Sequence, residues 1–136
     1  MTFLVSLFVG LTTMFCVGLN DPGKNPGKYQ DSVLNQLKPD CYYNWAIYDT
    51  KNLDNPKFDP MLWYITDGTI NQATTLAKTY KGRLWFVYNE PEVSTQSNVD
   101  AITAASWFDK TYESIKKADP TATVLCCGNM ISGQGI

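Results

Sequence analysis

The sequence predicts an α/β fold built on a parallel sheet. Short apolar runs alternate with helical patterns along most of the chain. The connections between runs are long enough for helical crossovers, which parallel neighbours require. The 136 residues, 44% of them hydrophobic, suffice for about one domain with a real core. Strands joined this way make either a small open sheet or the N-terminal part of a (β/α)8 TIM barrel. Such a barrel needs about 250 residues, so here it would be truncated.

The first element is an uncharged apolar run from Phe3 to Leu19. It is short for a membrane span of about 20 residues. Small residues at Cys16 and Gly18 suit a signal peptidase cutting after Gly18, although no Lys or Arg precedes the run. A secretory leader, a membrane anchor and an unprocessed strand or helix all remain open. Asn20 to Lys28, with two Pro-Gly pairs, reads as a linker that neither helix nor strand can traverse. The expected division is residues 1–18 as leader or anchor, 19–28 as linker and 29–136 as the α/β domain.

Tyr29, Val33, Leu34 and Leu37 share one helical face, and Pro39 stops that helix. The aromatic run Cys41 to Ile47 predicts the next strand. After a polar loop over 48–60, Met61 to Ile65 fits a strand buried on both faces. Asp67 or Thr69 can cap a helix carrying Ile70, Ala73, Leu76, Ala77 and Tyr80, with Gly82 just past its end. Arg83 to Tyr88 is a strand. Ala101, Ala104, Ala105, Phe108, Tyr112 and Ile115 mark a longer helix, stopped by Pro120. Thr121 to Cys127 is the last strand, before a Gly-containing tail.

Composition narrows the chemistry. The chain has no histidine, which removes Ser-His and Cys-His nucleophile pairs and His-ligated zinc. A net charge of -2 and a pI near 4.9 argue against a nucleic-acid partner. No Cys-x-x-Cys spacing suggests a metal site, and no cofactor is implied. If the leader is cut, Cys41, Cys126 and Cys127 remain. Adjacent strand residues point to opposite faces, so Cys126 and Cys127 are expected as buried free thiols rather than as a pair. A bridge from Cys41 to one of them stays open.

The informative segment is Asn89-Glu90-Pro91-Glu92, directly after a strand. Strand C-terminal ends are where parallel α/β sheets bind ligands. Pro91 is expected to push Glu90 toward extended backbone and fix its direction. A general acid needs an apolar surround, which Trp45, Trp63, Trp85 and Tyr88 could supply. Asn89 can hydrogen-bond a polar substrate, and Asn44 lies at another strand end. Sugar rings pack an apolar C–H face on aromatic rings, so Trp45 and Trp63 suit a glycan platform. The plainer readings are an ordinary turn at Asn-Glu-Pro and, for mid-strand Trp85, a core side chain.

Tyr42-Tyr43-Asn44-Trp45, Pro60-Met61-Leu62-Trp63, Tyr88-Asn89-Glu90-Pro91-Glu92 and Gln96-Ser97-Asn98 appear in that order. Together they resemble the glycosyl hydrolase catalytic-core family, glycoside hydrolase family 128, over roughly Asp40 to Gly128. That family comprises secreted or wall-associated β-1,3-glucanases on a barrel of the retaining, Asn-Glu-Pro clan. The resemblance implies Glu90 as acid/base and Asn89 as ligand of the sugar hydroxyl beside the cleaved bond. Trp45 and Trp63 would line subsites, with Asn44 and Tyr88 nearby. Gln96 to Asn98 would lead into the next helix.

Two departures stand out. The clan's nucleophile lies on a late strand, beyond Ile136, and Glu92 on the same turn as Glu90 cannot reach the opposite face of a sugar ring. The clan's Asn-Glu-Pro ends the fourth strand, whereas here it ends the third readable one. Either one strand is irregular or the apolar N-terminal run supplies it.

The expectation is a retaining glycoside hydrolase acting on an oligosaccharide or polysaccharide, secreted or wall-associated. The alternatives are a non-catalytic carbohydrate-binding fragment and an α/β domain held at a membrane through residues 1–19.

Overall fold

The computed structural model describes residues 15–19, 26–49 and 55–128. Most of the predicted leader, part of the linker and the tail after Gly128 lie outside the described residues. The described elements are β1 (Cys16–Gly18), α1 (Pro26–Leu37), β2 (Cys41–Tyr43), β3 (Met61–Leu62), α2 (Asp67–Thr79), β4 (Leu84–Asn89), α3 (Ala101–Ala118) and β5 (Thr123–Gly128).

Every strand pairing is parallel: β1 with β2, β3 with β4, and β4 with β5. Tyr42 forms a parallel bridge to Phe58, just ahead of β3, and the Met61 amide donates to the Ala46 carbonyl at 2.9 Å. The strands form two sheets, β1–β2 and β3–β4–β5, linked by these contacts, and within each they follow chain order without the reversal of a doubly wound sheet. β1 comes from the apolar run, so the segment expected as leader contributes its last three residues to the sheet. Asn89 consequently ends the fourth strand.

Several boundaries differ from expectation. Helix α1 begins at Pro26, inside the stretch read as linker. Proline suits the first helical position, where its missing N–H costs nothing. Leu37, expected on the buried face, is exposed. Strand β2 ends at Tyr43, because the Asn44 side chain accepts from the Ala46 amide and turns the chain. Strand β3 is only two residues long, since the chain bends at Trp63. The cap of α2 is Thr66 rather than Asp67 or Thr69. Its hydroxyl accepts from the Thr69 amide at 3.2 Å, and the Thr69 hydroxyl accepts from the Thr66 amide at 2.9 Å. Asp100 caps α3 through the amides of Ile102 and Thr103.

The core lies on one side of the sheet. Trp85 and Val87 of β4 are fully buried, Trp85 against Leu62, Leu76, Ala77 and Ile115. Leu62, Trp85 and Ile115 make this face a helix-packed layer. A strand alternates faces, so Leu84 and Phe86 lie on the other side, where both are only half-buried. Leu125 of β5 is 45% exposed. One face of the sheet is thus fully packed by helices, and the other is apolar and open.

All four cysteines are bonded: Cys16 to Cys41 and Cys126 to Cys127. The expected free thiols are therefore absent. β1 and β2 put Cys16 and Cys41 in register, with Cα atoms 4.5 Å apart. Cys126 and Cys127 are bonded to each other although strand alternation argues against their pairing.

Asp59, ahead of β3, is buried at 5% exposure. Its carboxylate accepts from the Leu84 amide at 3.0 Å, and Arg83 donates to the neighbouring Phe58 carbonyl. Burial pushes the carboxyl up to about 6, against the opposing pull of the Leu84 amide and the Arg83 charge. An unfolded aspartate titrates near about 3.9. The folded state therefore holds the proton more tightly. The stability this contributes is complete below about pH 4 and is lost as pH rises through about 6. Asp59→Asn keeps an acceptor for Leu84 but cannot ionise. Its urea midpoint is expected to exceed the parent's near pH 8, with the gain vanishing near pH 4. An equal loss of stability at both pH values would show instead that the charge itself is needed.

Candidate active site

The C-terminal ends of β2, β4 and β5 enclose a hollow of about 250 Å³ on the open side of the sheet. Tyr43, Trp45, Tyr88, Asn89, Cys126 and Cys127 are among its lining residues. Tyr43 stands 4.9 Å from Trp45, edge to face, and 4.9 Å from Phe86, between ring centroids. This aromatic row continues onto Gly18 of β1. A Cβ there would fall 2.7 Å from the Trp45 ring, so the close approach requires glycine.

Asn89 is 8% exposed and held on three sides. Its amide donates to the Trp63 carbonyl at 3.1 Å, and its carbonyl accepts from the Ser97 hydroxyl at 2.7 Å. Its carboxamide nitrogen donates to Gln96 Oε1 at 2.9 Å. Ser97 also donates to the Trp63 carbonyl, tying the loop to the ends of both β3 and β4.

The backbone on either side of Asn89 is left-handed, with φ of 67° at Tyr88 and 43° at Glu90. Trp45 and Asn98 share this geometry, at 57° and 48°. Each such non-glycine residue costs about 1–3 kcal/mol, and such residues cluster at functional sites. Glu90 was expected to be extended ahead of Pro91. The turn closed by the Val93 amide on the Glu90 carbonyl, at 3.0 Å, overrides that preference. Glu90 is half-buried directly beyond the strand end. Burial pushes the Tyr88 phenol up.

The predicted residues separate into groups. Trp45, Tyr88 and Asn89 meet in the hollow. Trp63 does not join Trp45. It lines a second hollow with Tyr64, Gln96, Asn98 and Trp107. Asn44 spends its carboxamide on its own turn, donating to the Tyr48 carbonyl at 3.1 Å while accepting from Ala46. Trp85 is core. Sequence reasoning missed Phe86 and the two bonded cysteines as lining residues. The alternation along β4 could have found Phe86, which lies opposite buried Trp85 and Val87.

Cys16, Cys41 and Asp59 bring potential ligand atoms within 4.8 Å of one another at the opposite end of the sheet. The two sulfurs are bonded to each other, which leaves the Asp59 carboxylate alone to coordinate. Among the described residues, no helix is long and apolar enough to cross a membrane.

Parallel strands in chain order, with Asn89 at a strained strand end in an aromatic hollow and Glu90 directly beyond it but lining neither hollow, define an α/β protein of the strand-end-site class. The chain belongs to the glycosyl hydrolase catalytic core family, whose profile matches residues 21–131. Its fold is similar to a subgroup II endo-β-1,3-glucanase of glycoside hydrolase family 128 from Sorangium cellulosum. The TM-score is 0.56 at 20% identity, over 85% of this chain and 49% of that one. A subgroup I endo-β-1,3-glucanase from Amycolatopsis mediterranei gives 0.52 at 18% identity, over 75% and 41%. The same enzyme in complex with laminaripentaose gives 0.50 at 16%, over 76% and 40%. The chain thus spans about half the length of the solved structures it matches or less. No curated protein sequence matches it.

Proposed function

We propose that this chain is the N-terminal half of a (β/α)8 barrel of a retaining β-1,3-glucanase, with Glu90 as its general acid/base. The observation that carries the reading is the left-handed backbone at Tyr88 and Glu90 around buried Asn89, at the end of the fourth strand and beside the aromatic hollow. The half-open inner face, with Phe86 and Leu125, is what a barrel interior presents before its remaining strands cover it. The second carboxylate, the nucleophile, is carried outside these 136 residues. Glu90 protonates the leaving oxygen, then draws a proton from the water that releases the glycosyl intermediate. Asn89 holds the sugar hydroxyl beside the cleaved bond. Trp45 and Tyr88 form the platform, and Trp63 in the neighbouring hollow extends the glycan path.

Affinity electrophoresis through laminarin tests the glycan site. The chain is expected to be retarded, and Trp45→Ala to weaken binding by up to about tenfold, the worth of one aromatic stacking contact. Equal mobility of the two proteins would remove Trp45 from the site. A reading as a non-catalytic glycan-binding fragment shares this outcome and differs at Glu90.

Secretion is part of the same proposal, because disulfides persist in oxidising compartments. Cutting after Gly18 would remove β1 and the Cys16 partner of Cys41. The mature N-terminus is therefore expected upstream of Phe15. Mass analysis that finds it at Leu19 would contradict a role for β1 in the folded protein.

A further inference from the structure

We propose that the Cys126–Cys127 bridge is a wall of the glycan hollow and packs on the apolar face of a glucosyl unit only while the two sulfurs are bonded. This rests on the reading of the hollow as a β-1,3-glucan site. Both cysteines line the hollow together with Tyr43, Trp45, Tyr88 and Asn89. Strand register places Cys126 beside Val87 and Gly128 beside Asn89, so the bridge flanks the residue proposed to hold the sugar hydroxyl. Cys127 also packs against the cluster of Ile65, Ile70, Val87 and Tyr88, which anchors one end of the bridge in the core. Cys126 is exposed, so a solvent thiol can reach it.

The two disulfides stand in different places. Cys41 is buried at 4% exposure and joins β2 to β1, a pairing that serves the sheet. The Cys126–Cys127 bridge closes no loop between elements, so chain constraint does not explain it. Its position explains it better. Adjacent residues of a strand send their side chains to opposite faces. Bonding the sulfurs ties the exposed Cys126 to Cys127, whose other contacts lie in the core, and so fixes both at the hollow that Tyr43 and Trp45 also line. A dithiol reductant donates two electrons and two protons, converting the bridge to two thiols while the reductant closes its own disulfide. Freed from that tie, the exposed Cys126 side chain can turn away from the hollow, and the wall loses one sulfur.

The test follows laminaripentaose binding to the 136-residue chain by tryptophan fluorescence. Three samples are compared: the oxidised chain, the chain with excess dithiothreitol, and the double variant Cys126→Ser, Cys127→Ser. The double variant leaves Cys16–Cys41 intact. It is expected to bind at least about tenfold more weakly, with the parent's circular dichroism and thermal midpoint. Dithiothreitol, at a level where peptide mapping still finds Cys16–Cys41 bonded, should bring the parent to the same affinity. Undiminished binding by both the reduced parent and the double variant overturns the wall, while the glycan site stands. So does peptide mapping of the oxidised protein that finds Cys126 and Cys127 as free thiols. If the double variant does not fold, the reduced parent decides, provided its circular dichroism is unchanged. Failure of the oxidised chain to bind at all overturns the site itself, and the wall with it.

Discussion

Glu90→Gln, in the enzyme that carries this chain, is expected to lower laminarin hydrolysis by about 10²–10⁴-fold, the usual worth of a positioned acid/base. The amide is nearly isosteric with the acid, so the turn from Glu90 to Val93 and the placement of Asn89 should persist. What is lost is the proton for the leaving oxygen and the base for the attacking water. Binding of laminari-oligosaccharides should therefore change little while turnover collapses. Glu92→Gln, two residues further on an exposed turn, should leave hydrolysis within about twofold, as surface substitutions usually do. The measurement is reducing-sugar release from laminarin by parent and variants at equal protein concentration. Near-normal release by Glu90→Gln would remove Glu90 from the chemistry.

Trp85→Ala is expected to destabilise the fold by about 3–5 kcal/mol, the range for deleting a large aromatic from a packed core. Trp85 is fully buried among Leu62, Leu76, Ala77 and Ile115. Domains have only about 5–15 kcal/mol in total, so the variant should unfold at much lower urea. Trp85→Phe should cost less. It leaves a smaller void and also removes the indole N–H, which has no hydrogen-bond partner among the described residues. Urea unfolding of the three proteins checks this. A stable Trp85→Ala that loses glucan binding instead would return Trp85 to the sugar platform.

The contrast between these two residues explains what could be read from the sequence. Trp85 lies mid-strand, where the usual burial of tryptophan favours a core role over a place on the sugar platform, and the structure buries it fully. The helical face of α2 was legible for the same reason, because the periodic apolar residues Ile70, Ala73, Leu76 and Ala77 are the buried ones. On α3 only Ile115 of the expected stripe is buried, together with Thr111, while Ala101, Ala105 and Tyr112 are exposed. Position at a strand end marked Asn89 and Glu90. The strained backbone there was not legible, since the pre-proline rule favours extended geometry and a tertiary turn overrides it. β1 was hidden because an uncharged apolar run fits a leader, an anchor and a strand equally well. Only pairing with β2 separates the last. The separation of Trp63 from Trp45 depends on the bend after a two-residue β3, a length that aromatic composition does not report. Gln96 was visible as a loop residue, but its hydrogen bond to Asn89 depends on how residues 90–99 fold back on the strand ends.

Azide rescue tests the central assignment most directly. Glu90→Ala, in the whole enzyme, is assayed on an aryl β-1,3-glucoside whose leaving group needs no protonation. The glycosyl intermediate should then form and stall, because no base activates water. Azide, an anion that attacks without a base, should restore turnover and yield the β-glycosyl azide. No rescue and no azide product would contradict Glu90 as acid/base, and an α-glycosyl azide would make Glu90 the nucleophile instead.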